Sequence, residues 1–80
     1  MTDRKLIRDR AVFIVTIREV VRYDELIPEL SVEFLDANMN EILTAVSEAV
    51  QEKLIYRIEY RVLSHQGARF FYMSPSSRIV

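Results

Sequence analysis

Eighty residues, half of them hydrophobic, suffice for one small domain and not for two. The absence of cysteine excludes disulfides, thiolate metal sites and cysteine nucleophiles, and no apolar run approaches the roughly 20 residues a membrane span needs. The net charge of -1 conceals a sorted chain, with six basic and three acidic residues up to Arg22, eight acids and no Lys or Arg from Tyr23 to Glu52, then five basic residues against Glu59 alone. Such sorting creates long-range fields, which bear on partners more than on fold.

The opening Met1-Thr2-Asp3-Arg4-Lys5 runs into Leu6-Ile7-Arg8-Asp9-Arg10, too charged for the core of a signal peptide, so a cytoplasmic protein is expected. From Leu6 to Tyr23 two patterns coexist. Phe13 or Ile14, Ile17 and Val20 or Val21 suit a helix, while Ala11, Phe13, Val15 and Ile17 alternate as in a strand, and seven of the ten residues from Val12 to Val21 are β-branched. The helix is preferred, because the run is long and the later elements need a first layer to pack on. Pro28 then reads as the first residue of a short helix, with Glu29 in its first turn and Leu30, Phe34 and Leu35 buried. Asp36-Ala37-Asn38 forms a corner.

The clearest element runs from about Met39 to Lys53. Met39, Ile42, Leu43, Val46, Ala49 and Val50 make one apolar stripe of helical period. Asn38 with Glu41 three residues later is a capping-box pattern, and Lys53 suits the carboxyl end of the helix dipole. After Leu54 the period becomes two: Ile58, Tyr60 and Val62 alternate with Arg57, Glu59 and Arg61. Ser64-His65-Gln66-Gly67 is a turn, with the chain's single glycine able to take a left-handed conformation. Arg69 to Met73 returns as a second strand, and residues 75–80 form a tail after a domain spanning 1–74. Ile42, Val46, Ala49, Ile58, Tyr60 and Phe71 are the expected core of these elements. The fold class is therefore a small α+β domain, with helices followed by a carboxyl-terminal β-hairpin.

Helix, helix, tight corner, helix and hairpin is an order that resembles the winged helix-turn-helix superfamily over residues 24–74. Leu35, Ala37 and Ile42 hold the spacing that locks the two-helix corner. Lys53-Leu54-Ile55-Tyr56 is similar to the usual Gly-Leu-Ile exit, Gly67 sits where the wing turns, and Tyr72-Met73-Ser74 is similar to the closing Tyr-x-Leu-Thr. The chain departs from the pattern with Asp36 at the corner, Lys53 at the exit, and no basic residue on the third helix before its last turn. The resemblance implies a DNA reader whose third helix enters the major groove, where Asn40 would hydrogen-bond an adenine edge and Thr44 would touch a thymine methyl.

Glu41 and Glu48 on that helix would face the phosphates unfavourably, so the hairpin is the better nucleic-acid candidate. Arg57, Arg61 and Arg69 could share its outer face with His65 at the tip, joined by Arg4, Lys5, Arg8 and Arg10. The same alternation of Arg and Glu equally serves to keep a strand edge soluble.

Catalysis is not expected. One histidine, no glycine-rich phosphate loop, no serine beside a base and no metal-ligand spacing leave no reactive constellation, and no cofactor or metal is expected. Two functions from different classes follow. One is a nucleic-acid-binding regulator that contacts double-stranded DNA phosphates through a basic hairpin. The other is a protein-protein interaction module, or small subunit of an assembly, whose acidic helical face (Glu41, Glu48, Glu52) docks a basic protein or the basic end of another copy. A homo-oligomer or stable complex is expected, with exposed members of Val12, Ile14, Ile55, Leu63 and Phe70 at its apolar centre.

Overall fold

In the computed structural model, residues 3–61 and 68–75 are described. They form α1 (Arg4–Arg18), β1 (Val20–Arg22), α2 (Tyr23–Glu33), α3 (Met39–Gln51), β2 (Tyr56–Arg61) and β3 (Ala68–Met73). The three strands make an antiparallel sheet in the order β1-β3-β2. The molecule is a small α+β domain with its helices packed on one face of that sheet.

The helix takes the amino-terminal stretch, including the alternating Ala11, Phe13, Val15 and Ile17, and only Val20 to Arg22 beyond it form a strand. Asp3 caps α1 by accepting the Lys5 N–H at 3.0 Å, and Ile7, Ala11, Ile14 and Val15 face inward at helical spacing. The helix stops at Glu19, whose φ of 68° no interior helical residue adopts. The β-branched pair that follows becomes β1, with Val21 buried against the core. The Glu19 carbonyl accepts the Ser74 N–H at 2.9 Å and ties this turn to the end of β3. Of the pair Phe13 or Ile14 it is Ile14 that faces inward, with Val15 beside it, while Phe13 and the expected Ile17 are exposed.

α2 begins five residues before Pro28, which lies exposed inside it. Asp24 and Glu25 occupy its first turn, where carboxylates suit the helix dipole. Leu26, Ile27 and Leu30 are its buried residues. Continuing that face four residues past Leu30 reaches Phe34, which packs partly buried against the core. Leu35 is one residue out of phase and is 84% exposed, so it does not lock the corner. Ala37 and Ile42 do pack inward.

α3 opens with the expected capping box: Asn38 Oδ1 accepts the Glu41 N–H at 2.8 Å, and a Glu41 carboxylate oxygen accepts the Asn38 N–H at 3.4 Å. Ile42, Ala45, Val46 and Ala49 are buried, whereas Met39 at the start of the stripe is exposed. The exit is a Schellman turn. The Lys53 N–H bonds the Val50 carbonyl at 3.1 Å and the Leu54 N–H bonds the Ala49 carbonyl at 3.0 Å, with Lys53 at φ 61°. A side chain bearing Cβ is strained there, so Lys53→Gly is expected to stabilise the domain by about 1 kcal/mol. An unchanged or lowered urea midpoint would contradict it.

β2 and β3 pair in register from Tyr56 opposite Met73 to Arg61 opposite Ala68. The turn at Ser64 to Gly67, Val62 and the tail beyond Pro75 lie outside the described residues, as do the side chains of Tyr60, Arg61 and Arg69. The expected inward face of the hairpin needs correction. Ile58 is 38% exposed and Phe71 only half-buried, whereas Tyr72 is buried. Alternation specifies which residues share a face but not which face meets the core. Ile55, fully buried just after the Schellman turn, fixes the phase, so Arg57 and Glu59 fall on the core side with Tyr72, Phe70 and Val21. They remain exposed because β2 leans on β3 rather than on the helices.

Candidate functional site

The sorted charges meet in space. α1 carries most of the amino-terminal arginines, and the acidic helices α2 and α3 flank it. On the α3 side, Arg4 Nε lies 2.6 Å from Glu48 and Arg8 Nη1 lies 3.1 Å from both Glu52 carboxylate oxygens. On the α2 side, Arg10 Nε reaches Glu33 at 2.9 Å and Arg18 Nη2 reaches Glu29 at 2.7 Å. Arg22 at the end of β1 holds Asp24 at 2.9 Å, with Glu25 at 4.0 Å.

A hydrogen bond from Arg8 to Asp9, reinforced by the charges of Glu52, Asp9 and Glu48, pushes its pKa up despite some desolvation. Exposed pairs of this kind add little to stability, so their main consequence is orientation and local neutralisation. The sequence signal for them was the block pattern itself, which reads equally well as two patches for outside partners.

The candidate DNA contacts fall on separate elements. Asn40 and Thr44 are exposed on α3, and so is Ser47 three residues further. Arg57 lies on β2 with its guanidinium 5.2 Å from the centre of the Phe70 ring, a cation-π arrangement. Arg61 and Arg69 have their backbones in β2 and β3, and His65 lies outside the described residues. Of the acidic candidates, Glu41 belongs to the capping box, while Glu48 and Glu52 hold Arg4 and Arg8. Asp3, Arg4, Lys5, Arg8 and Glu48 line a shallow cleft in which both signs of charge are present. Among the described residues, no group of three His, Cys, Asp or Glu side chains could hold a metal ion, and no helix is long and apolar enough to cross a membrane.

The apolar surface is differently placed from the expectation. Ile14 and Ile55 are buried, Val12 and Phe70 are half-buried, and Leu63 lies outside the described residues. The exposed apolar side chains are instead Leu6, Phe13 and Ile17 along one side of α1, and Val32, Leu35 and Met39 around α2 and the corner. On the outer face of the sheet Val20, Tyr56 and Ile58 are exposed beside Phe71 and Met73. The inner face holds an aromatic ladder in which Tyr23 stands 6.1 Å from Phe70 and 6.3 Å from Tyr72, ring centre to ring centre.

Burial pushes the Tyr72 phenol above its ordinary value of 10.0, against the opposing charge of Arg57 and with a smaller contribution from Tyr23. The unfolded chain therefore loses this proton first. Stability that depends on the neutral phenol is complete below about pH 10 and is lost as pH rises through the higher folded value. Tyr72→Phe is expected to flatten that alkaline decline, read as the urea midpoint against pH. An identical slope in the variant would contradict the assignment. No protein-family model, curated protein or solved structure matches this chain.

Proposed function

We propose that this chain is a winged-helix-like, non-enzymatic protein-protein interaction module of the cytoplasm, working through apolar surface and strand edge rather than through its charged blocks. The observation that carries this reading is the internal pairing of Arg4, Arg8, Arg10, Arg18 and Arg22 with carboxylates of the acidic segment. Cations engaged in this way are locally neutralised, and a phosphate has to compete with a carboxylate for each of them. The same pairs occupy Glu48 and Glu52, which makes the acidic face a weak dock for a basic partner. The outer sheet face keeps large apolar side chains in water, a cost that association relieves.

The winged-helix element of the proposal draws support from the order of three helices and a hairpin. It draws more from Lys53, which holds a positive φ at the position where the family places glycine. Binding to random duplex DNA across a salt series tests the functional reading. Little or no binding is expected at physiological salt. Tight binding that falls steeply with salt, and that weakens when Arg57, Arg61 and Arg69 are changed together to glutamine, would overturn it in favour of a phosphate-contacting hairpin.

A further inference from the structure

β2 is an edge strand. The sheet order β1-β3-β2 leaves its outer side without a neighbouring strand among the described residues, and none of its other packing is as extensive as that on β3. It is six residues long, contains no proline or lysine, and has no residue at positive φ. Strand edges that stay single are usually short, bulged, or charged so that a second copy is repelled. This edge has none of the first two devices. Its charges alternate in sign, from Arg57 through Glu59 to Arg61.

We infer that a second copy of this chain adds to β2 antiparallel, about a two-fold axis at Ile58, to build one sheet across the dimer. A two-fold axis normal to the sheet keeps outer face with outer face, so it must pass where a residue stands opposite its own copy. Centring on Glu59 sets glutamate against glutamate and position 57 against position 61, both arginine. Centring on Arg57 sets arginine against arginine. Centring on Ile58 sets Arg57 opposite the partner's Glu59 and Glu59 opposite the partner's Arg57, two complementary pairs, whereas centring on Tyr60 pairs Glu59 with Arg61 likewise but sets Arg57 and Ile58 opposite positions 63 and 62, beyond the six residues of β2.

Both side chains are exposed and share the core-side face of the hairpin, where β2 packs on β3 rather than on the helices. On the other face the same register sets Ile58 against the partner's Ile58, with Tyr56 beside it. The exposed apolar side chains of the two outer faces thereby become neighbours, with Phe71 and Met73 on the strands behind. The strand thus accepts its own copy in a register centred on an apolar residue and rejects registers centred on a charge. This inference rests on the interaction-module reading and names the partner.

Sedimentation equilibrium of the full chain at micromolar concentration tests it, with far-ultraviolet circular dichroism to verify folding. The native chain is expected to dimerise. Glu59→Arg and Arg57→Glu, each setting like charges opposite one another twice, are expected to weaken dimerisation about tenfold. Glu59→Arg keeps the Arg57–Phe70 contact and is the arm least exposed to indirect effects. The double exchange of Arg57→Glu with Glu59→Arg restores complementarity and is expected to bring the dimer back. A monomeric native chain, a dimer that neither single change weakens, or a double exchange that fails to restore it overturns the inference. Of these, a dimer indifferent to both changes moves the interface elsewhere and leaves the interaction module standing. A monomer that binds duplex DNA with a steep salt slope overturns both readings.

Discussion

Leu26→Ala is expected to destabilise the domain by about 3 kcal/mol, the ordinary cost of emptying a fully buried leucine site. Leu26 is 0% exposed in the second turn of α2, and it belongs to the same cluster as Ile7, Ile14, Val21 and Tyr72. A domain of this length carries a total stability of roughly 4–12 kcal/mol, so one such cavity removes a large share of it. Val32 is the internal control. It lies on the same helix at 73% exposure, and Val32→Ala should change stability by less than about 0.5 kcal/mol. Urea unfolding of both variants decides the matter, and near-equal midpoints would mean that α2 is not seated as described.

Leu26 also marks where the sequence stops being informative. A helix start at Pro28 is the natural reading of that proline, since a first-turn position wastes no hydrogen bond. The structure instead runs α2 from Tyr23, with Pro28 in its interior, because burying Leu26 and Ile27 with Leu30 outweighs the lost bond. α3 was legible in its capping box and in the buried Ile42, Val46 and Ala49, where local signals and tertiary demand agree, but Met39 proves exposed and the helix ends at Gln51 rather than Lys53. The hairpin was legible in its alternation and illegible in its phase, which Ile55 sets from outside the strand. The charge blocks were visible at once. Their mutual neutralisation depends on α1 lying between α2 and α3, a tertiary fact that no local pattern contains.

Ala45→Leu is expected to cost about 2 kcal/mol by overpacking the seam between α1 and α3. Ala11 on α1 and Ala45 and Ala49 on α3 are all 0% exposed, so the two helices approach closely with methyl groups between them. Ala45 was not among the residues of the apolar stripe read from sequence, because an alanine between larger side chains carries little periodic signal. A leucine there has no void to fill and must displace α1. The displacement should propagate to function. Arg4 and Arg8 are held against Glu48 and Glu52 only while α1 stays close to α3, and moving it frees these four side chains. Ser47→Leu, at an exposed position on the same helix, keeps the seam intact and should shift stability by less than about 0.5 kcal/mol. The expected pair of results is a melting temperature lowered by roughly 10 °C for Ala45→Leu alone, together with a gain in salt-sensitive binding to duplex DNA as the arginines lose their partners. Lowered stability without that gain would show that the ion pairs survive displacement of the helix, and that close packing of α1 on α3 is not what holds Arg4 and Arg8 to their carboxylates.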